Sequence, residues 1–318
     1  MMENNPLVSV VITTYGRLDF LPSAIESVIS QTYKNKEIIV VDDNANNAEI
    51  RRGVEFVVGQ YNGIELIENQ TNLGGSLSRN EGIKAAKGEL ISFLDDDDTY
   101  LPERISKCVE KYIENRDENI GLVYTYCNCV TNKGVKIWEF KNDPQENLLY
   151  QQMLGTICAT SQWVVPSYVF KNVGMFEDSP CKQDSIMLLK IIGGGYNIVN
   201  VKECLSNYTD HDDGRISGYT EKNIQGINNY YRWCKKYFNL LNASQINHVE
   251  ISFIKELLVK YAFMGKRKEA WCKYCQYIRF SSFSSDYMLF PLQIILGKLN
   301  QDILVVKKKL GKIKRLLH

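Results

Sequence analysis

The chain has 318 residues, of which 44% are hydrophobic and 24% charged, with a formal net charge of +1. That size and apolar content suit one large or two medium globular domains with a real core. The near-neutral balance provides no global field to draw in nucleic acid or a membrane, so no nucleic-acid partner is expected and electrostatic specialisation must be local.

Nine cysteines, an odd number in no tight framework, argue against a disulfide-stapled secreted protein. The pairs Cys127/Cys129 and Cys272/Cys275 lie among apolar and aromatic residues without matching partners, so buried reduced thiols are expected rather than zinc. The N-terminal MMENNPLVSVVITT lacks a basic signal region, and no stretch reaches the roughly 18 apolar residues needed to span a bilayer. A cytoplasmic compartment follows as the expectation.

Residues 7–14, LVSVVITT, form a continuous β-branched run of the kind buried on both sheet faces. RLDFLPSAIESVISQ then places Leu18, Leu21, Ile25, Val28 and Ile29 at helical spacing. KEIIVVDDN is a second buried strand ending in acid, a helix is expected over about 47–60, and GIELIEN is a third strand. GSLSRNEGIKAAKG reads as a helix capped by Gly88, and ELISFLDDDD as a fourth strand ending in acid. This alternation predicts βαβ units, a parallel sheet and right-handed crossovers. Past Pro102 come a helix to about 115, a strand NIGLVYTYCNCV, and GVKIWEF paired to it around Asn132–Gly134. Short helices and strands are expected over 144–216, and from about 219 the pattern is helical.

In open α/β sheets, ligands bind outside the carboxyl ends of the strands. Thr13–Thr14, Asp42–Asp43 and Asp95–Asp98 all fall there. Hard divalent cations take oxygen ligands, usually one or two carboxylates with substrate phosphates, so an acidic rim suits a metal–diphosphate complex. Alternation along an extended segment points Asp95 and Asp97 one way and Asp96 and Asp98 the other. A solvated acidic turn, with Asp98 or Thr99 capping the helix near Pro102, accounts for the same residues.

In their order, VSVVITTYGR, EIIVVDDN, NLGGSLSRNEGIKAAKGELISFLDDDD and LPERI resemble the successive motifs of family 2 glycosyltransferases over about residues 7–216. The ordered set is specific; no single motif is. The resemblance implies a GT-A-type α/β fold, a mostly parallel central sheet flanked by helices, over 1–218. Its donor half would be about 1–100 and its acceptor half about 101–218, followed by a helical C-terminal region, 219–318. It implies a nucleotide-sugar donor, a UDP-sugar, lying across the strand ends, with Mn²⁺ or Mg²⁺ as cofactor. A glycan or lipid-linked acceptor in bacterial surface-polysaccharide synthesis completes that picture.

Carried over by position, the resemblance puts Thr14, Tyr15, Arg17, Asp42, Asp43, Asn72, Gly74, Arg79, Asp95 and Asp96 on the donor side. Asp97 and Asp95 match the metal-binding DxD pair, with Asp97 preferred as the direct ligand and its neighbours left open. Thr13 stands where the family has proline, Gly16 where it has asparagine, and DDNANN lacks the usual glycine and serine. VGMFEDSPCKQDSIMLLKIIGGGYNI resembles the region of the catalytic base, which assigns that role to Asp184, with Glu177 and Asp178 as competitors. Inverting transfer needs such a base to take the acceptor proton, and an acid near a helix N-terminus is favoured as the anion. Asp184 would equally serve as a helix cap. In NYTDHDDGRIS, His211 is a metal-site candidate, with Arg215 and Ser217 behind it. Trp163 and Gln183 are assigned to the acceptor side, Trp163 as a sugar platform or as core packing.

ILVVKKKLGKIKRLL places Ile303, Val306, Leu310, Ile313 and Leu317 on one helical face among lysines. Residues 298–318 therefore suit an interfacial helix on anionic lipid at the inner membrane face, or packing on the protein or a second subunit. Two other functions remain on composition and motif alone. A nucleotidyltransferase would use the same acidic rim but is expected to carry a glycine-rich, basic loop after the first strand, and TTYGRLDFLP is poor in that respect. A non-catalytic cation- or glycan-binding protein would bind metal without turning over any donor.

Overall fold

The computed structural model describes residues 5–210, 219–280 and 286–296, without the side chains of 286–288. The chain divides into two compact units, Met1–Ser179 with Gln183–Gly214, and Pro180–Lys182 with Arg215–His318.

The first unit begins with β1 (Val8–Thr14), α1 (Leu21–Ile29), β2 (Lys36–Asp42), α2 (Ala48–Val58), β3 (Ile64–Glu68), α3 (Gly74–Ala85) and β4 (Leu90–Asp95). It continues through β5 (Thr99–Tyr100), α4 (Arg104–Asn115), β6 (Ile120–Thr131), β7 (Lys136–Phe140), α5 (Leu148–Leu154), β8 (Trp163–Pro166), α6 (Ser167–Val173), α7 (Gln183–Gly193) and β9 (Asn197–Asp210). The strands form one sheet in the order β3-β2-β1-β4-β8-β6-β9-β5, with β7 on β6. The expected parallel sheet is present from β3 to β4; beyond it β8 runs antiparallel to both neighbours, while β9 is parallel to β6.

Period-two alternation explains why the first strands read as unbroken apolar runs. Val8, Val10 and Ile12 of β1 feed one core with Leu21 and Ile25 of α1, Val54 of α2 and Ile105 of α4. Val11, Ile39 and Phe93 feed the opposite core with Val169 and Phe170 of α6 and Met187, Leu188 and Ile191 of α7. Helices cover both faces, so the central strands are apolar except where a buried side chain finds a hydrogen-bond partner, as Ser9 and Ser92 do. The expected turn at Asn132–Gly134 is present, with Gly134 at φ +74° and its N–H donating to Thr131 O at 2.8 Å.

Two local expectations differ. Gly88 does not cap α3, which ends at Ala85 with Ala86 as its C-cap. Gly88 is instead where the chain crosses β1: its N–H donates to Ser9 Oγ at 2.8 Å, and a Cβ there would lie 2.6 Å from Leu7 O and 2.7 Å from Ser9 N. Neither Asp98 nor Thr99 caps the helix after Pro102. That helix starts at Arg104 behind Glu103, and Thr99–Tyr100 pair with Ser206–Asn207. Long-range pairing takes those residues before the helix can.

The second unit holds α8 (Glu221–Lys235), α9 (Ala243–Phe263), α10 (Arg267–Phe280) and α11 (Asp286–Leu296). Thr220 Oγ1 accepts from Asn223 N–H at the start of α8, and Asn242 and Gln245 form a reciprocal capping box on α9. No helix among the described residues is long and apolar enough to cross a membrane. The basic segment 298–318 lies outside the described residues.

The backbone crowding at Gly88 makes a direct prediction. Gly88→Ala is expected to cost about 1–3 kcal/mol, read as a lowered urea midpoint, because backbone atoms must move to admit the methyl. Gly155→Ala, with nothing within 4 Å of its added Cβ, is expected to leave the midpoint within about 0.5 kcal/mol of the parent.

Candidate functional site

Strand register assembles the site. Thr14 of β1 pairs with Asp42 of β2, and Thr13 pairs with Asp95 of β4, so three polar strand ends stop at one level. From each end a loop departs, and side chains tie the loops together.

On the β1 loop, Thr14 Oγ1 donates to Asp96 Oδ2 at 2.8 Å and Tyr15 N–H donates to the same oxygen at 3.1 Å. Burial, then the charge of Asp97, pushes the Asp96 carboxyl up to about 7, against the opposing pull of Thr14, Arg17 and Tyr15 N–H. Arg17 pairs with Asp97 and lies 3.5 Å from Asp96, while the Tyr15 side chain is exposed on the rim.

Asp42 and Asp43 are both buried, and their oxygens are engaged. Asp42 accepts from Asn44 N–H at 2.8 Å and pairs with Arg51 at 3.3 Å. Asp43 accepts from Asn69 Nδ2 at 2.8 Å, Leu73 N–H at 2.7 Å and Gly74 N–H at 2.8 Å. It thereby holds the start of α3, where a carboxylate meets the positive end of the helix dipole. Asn72 Nδ2 reaches Asp43 O at 3.3 Å, and Gly74 takes φ +76°, a conformation glycine adopts without strain.

Arg79 reaches back along α3 to pair with Asp95. It is 5% exposed, and its Nε and Nη1 have no hydrogen-bond partner among the described residues. Buried guanidinium donors left open are costly unless a further acceptor arrives.

The four aspartates divide as expected, although by a turn rather than by an extended strand. Asp98 N–H donates to Asp95 O at 3.0 Å, which closes the turn. Asp96 and Asp98 are buried; Asp95 and Asp97 are only half-buried. Asp98 accepts from Thr209 N–H at 3.1 Å at the end of β9, and burial holds its carboxyl well above the usual range.

Asp184 is the second residue of α7, and its Oδ1 accepts from Ser185 N–H at 2.7 Å and Ser185 Oγ at 3.3 Å. It lies inside the first turn rather than before it. Gln183 is half-buried beside it. Glu177 is bound by Lys190 at 2.9 Å. Burial pushes Cys158 up, with Asp184 and Cys127 adding, and burial pushes Cys127 up to about 12, with Asp98 adding.

Trp163 is fully buried: Nε1 donates to Cys158 Sγ at 3.1 Å, and the ring stacks on Phe176 at 6.1 Å. It offers no ring face to a sugar, because the β8 position that carries it points into the core. His211, Arg215 and Ser217 lie outside the described residues.

Three further residues emerge only from the structure. Asn44 Oδ1 accepts Gly16 N–H at 2.8 Å while its Nδ2 donates to Asp42, clipping the β1 and β2 loops together. Its only sequence signal is the DDNANN departure. Ser161 Oγ accepts from Asp95 N–H at 3.3 Å. Arg104, fully buried, donates to Ser92 Oγ and Trp163 O at 2.9 Å each and lies 3.8 Å over the Tyr100 ring, bracing β4 against β8.

The donor chemistry of Asp95 and Asp97 is all oxygen, which fits Mg²⁺ or Mn²⁺ with a substrate completing the shell. No group of three or more His, Cys, Asp or Glu side chains that could hold a metal occurs among the described residues. Among the described residues, protein ligands alone would leave the shell incomplete. Arg17 and Arg79 pair with the two more accessible carboxylates of the acidic turn, Asp97 and Asp95.

Residues 9–174, more than half of the chain, match the sequence model described as Glycosyl transferase family 2. A protein of Escherichia coli strain K12 assigned by name to colanic acid biosynthesis, WcaA, is 25% identical over 284 residues, covering 84% of this chain and 97% of its own. Three other curated relatives, 29–32% identical, are matched over 46–71% of their own lengths. Among solved structures, S. aureus TarS 1-349 in complex with UDP-GlcNAc aligns with a TM-score of 0.55 at 15% identity, covering 84% of this chain and 89% of that one. The mannosyltransferase PcManGT of Pyrobaculum calidifontis, in complex with GDP-Man and Mn²⁺, aligns at 0.57 and 15%, covering 92% and 81%. At these identities the structural likeness concerns the fold, which is that of GT-A glycosyltransferases.

Asp43→Ala is expected to lower stability by about 1–3 kcal/mol, measured as the urea midpoint, because Leu73 N–H, Gly74 N–H and the Asn69 amide lose their acceptor together. Asp43→Asn retains one acceptor oxygen and should recover part of that loss.

Proposed function

Since the chain belongs to glycosyl transferase family 2, we propose that it is an inverting, metal-dependent glycosyltransferase. It would move a sugar from a nucleotide-diphosphate donor, a UDP-sugar, to a hydroxyl of a glycan or lipid-linked acceptor in polysaccharide biosynthesis. The observation that carries this reading is Arg79, buried against Asp95 with two open donors at the end of β4. A diphosphate supplies the acceptors that this guanidinium lacks. The UDP-GlcNAc and GDP-Man complexes of fold neighbours support a nucleotide-sugar donor, and the Mn²⁺ in one supports the metal. The colanic acid name of one relative supports a polysaccharide product.

In this reading Tyr15 and the Asn44-clipped loop border the nucleotide, and Arg17 and Arg79 meet the phosphates. Mn²⁺ or Mg²⁺ on Asp97 and Asp95 would offset charge on the leaving diphosphate. The acceptor oxygen bonds to the anomeric carbon as the bond to the diphosphate breaks, with the electron pair leaving on the nucleoside diphosphate. Asp184, in the first turn of α7, takes the acceptor proton. Cytoplasmic nucleotide sugars and a lipid-linked acceptor would bring the enzyme to the inner membrane face, a location that the basic sequence of 298–318 supports.

The test is a panel of UDP-sugars and GDP-mannose with Mn²⁺, scored as acceptor-dependent nucleotide release. Transfer from one UDP-sugar is expected; no release from any donor removes the reading. Asp184→Asn should reduce transfer by about 10²–10⁴-fold with donor affinity nearly unchanged. If Asp178→Asn has that effect instead, the base is misassigned. Chelation with EDTA should abolish transfer, and Asp97→Asn should raise the Mn²⁺ requirement about tenfold or more. Full activity in EDTA would exclude metal dependence.

A further inference from the structure

The second unit ends its described part with a helix that buries one stripe and exposes another. Phe290 and Ile294 of α11 are buried in a cluster with Leu258 and Ala262 of α9 and Ala270 and Tyr277 of α10. The Tyr277 and Phe290 rings meet edge-on at 5.2 Å. Arg267 at the start of α10 donates from Nη2 to Ile295 O at 3.1 Å, so both ends of the α10–α11 pair are fixed. That anchoring orients Leu289, Leu292 and Ile295 outward, and they are 50%, 53% and 59% exposed. Their spacing of three residues puts them in one row about 9 Å long. Phe280, at the end of α10, is 48% exposed.

Single exposed leucines need no explanation, but a row of large aliphatic side chains on an anchored helix marks a contact surface. The sequence decides between occupants. Residues 297–318, which follow α11 directly, carry six lysines and one arginine against one aspartate. Two copies of the chain meeting at α11 would bring two such charge runs together, whereas an anionic bilayer would neutralise both. Apolar side chains beside a run of basic residues form the combination that holds a helix in the headgroup region.

We propose that the Leu289/Leu292/Ile295 face of α11 is a membrane-docking surface that inserts into anionic lipid, with the basic residues beyond it supplying the electrostatic attraction. The proposal extends lipid contact from the basic segment to a specific apolar row. Its readout is binding, so it stands apart from the transfer reaction.

The experiment is co-sedimentation of the full chain with vesicles of phosphatidylcholine alone and of equimolar phosphatidylcholine and phosphatidylglycerol. Binding to the anionic vesicles, and weaker binding to the neutral ones, is expected. Leu289→Glu with Leu292→Glu should reduce the anionic binding about tenfold or more. Phe56→Glu, at a 71% exposed position on α2, should not change it. Leu292→Trp provides a second measurement, read as the difference from the parent chain with its four native tryptophans: that difference emission should shift to the blue when anionic vesicles are added. No binding to either vesicle, unchanged binding by the double glutamate variant, or an unshifted Leu292→Trp spectrum would each overturn the proposal. So would loss of a dimer in the glutamate variant, by sedimentation velocity, with vesicle binding intact; the face would then be a subunit interface.

Discussion

The β1 and β4 side of the first unit's rim follows from placing four carboxylates at the end of one buried strand. Charge taken out of water must be matched or neutralised, and the chain does both. Asp96 is met by Thr14, the Tyr15 N–H and Arg17; Asp98 by Thr209 N–H; Asp95 by Arg79; and Asp97 by Arg17. These partners come from β1, its following loop, α3 and β9. The interactions that make the acid cluster tolerable therefore also hold the separate pieces of the rim in place.

The two halves of the acid set have distinct physical characters. Asp96 and Asp98, buried and pushed upward, serve the backbone. Asp95 and Asp97 face arginines and remain partly accessible, so their charge is available to a ligand. Arg79 completes the asymmetry, since its pairing with Asp95 leaves two donors open. A site built this way pairs its accessible carboxylates with arginines while leaving a buried guanidinium incomplete in hydrogen bonding.

Sequence made the order of elements legible because both-face burial leaves an apolar signature in every central strand, from VSVVITT to LISFLD. The acidic strand ends were equally visible, since the sheet rule needs only strand direction. What stayed hidden were roles set by distant partners. Asp98 looked like a cap until Thr209, 111 residues away, occupied it. Gly88 looked like a helix stop until β1 proved to pass against it. Trp163 stood open between platform and core packing because periodicity cannot say which face of β8 is the inner one, and Asn44 showed only as a departure from the usual glycine and serine. In each case the deciding neighbour is remote in the chain, so no local pattern could carry it.

The shared register of β1, β2 and β4 also sets what evolution can change. Loops beyond the strand ends can lengthen or shorten, since only their anchoring side chains must return to the rim. An added residue within β1 would move Thr14 out of line with Asp42 and turn alternate side chains into the wrong core. A change of strand length would thus disturb the core and the rim together, whereas a change of loop length need disturb neither.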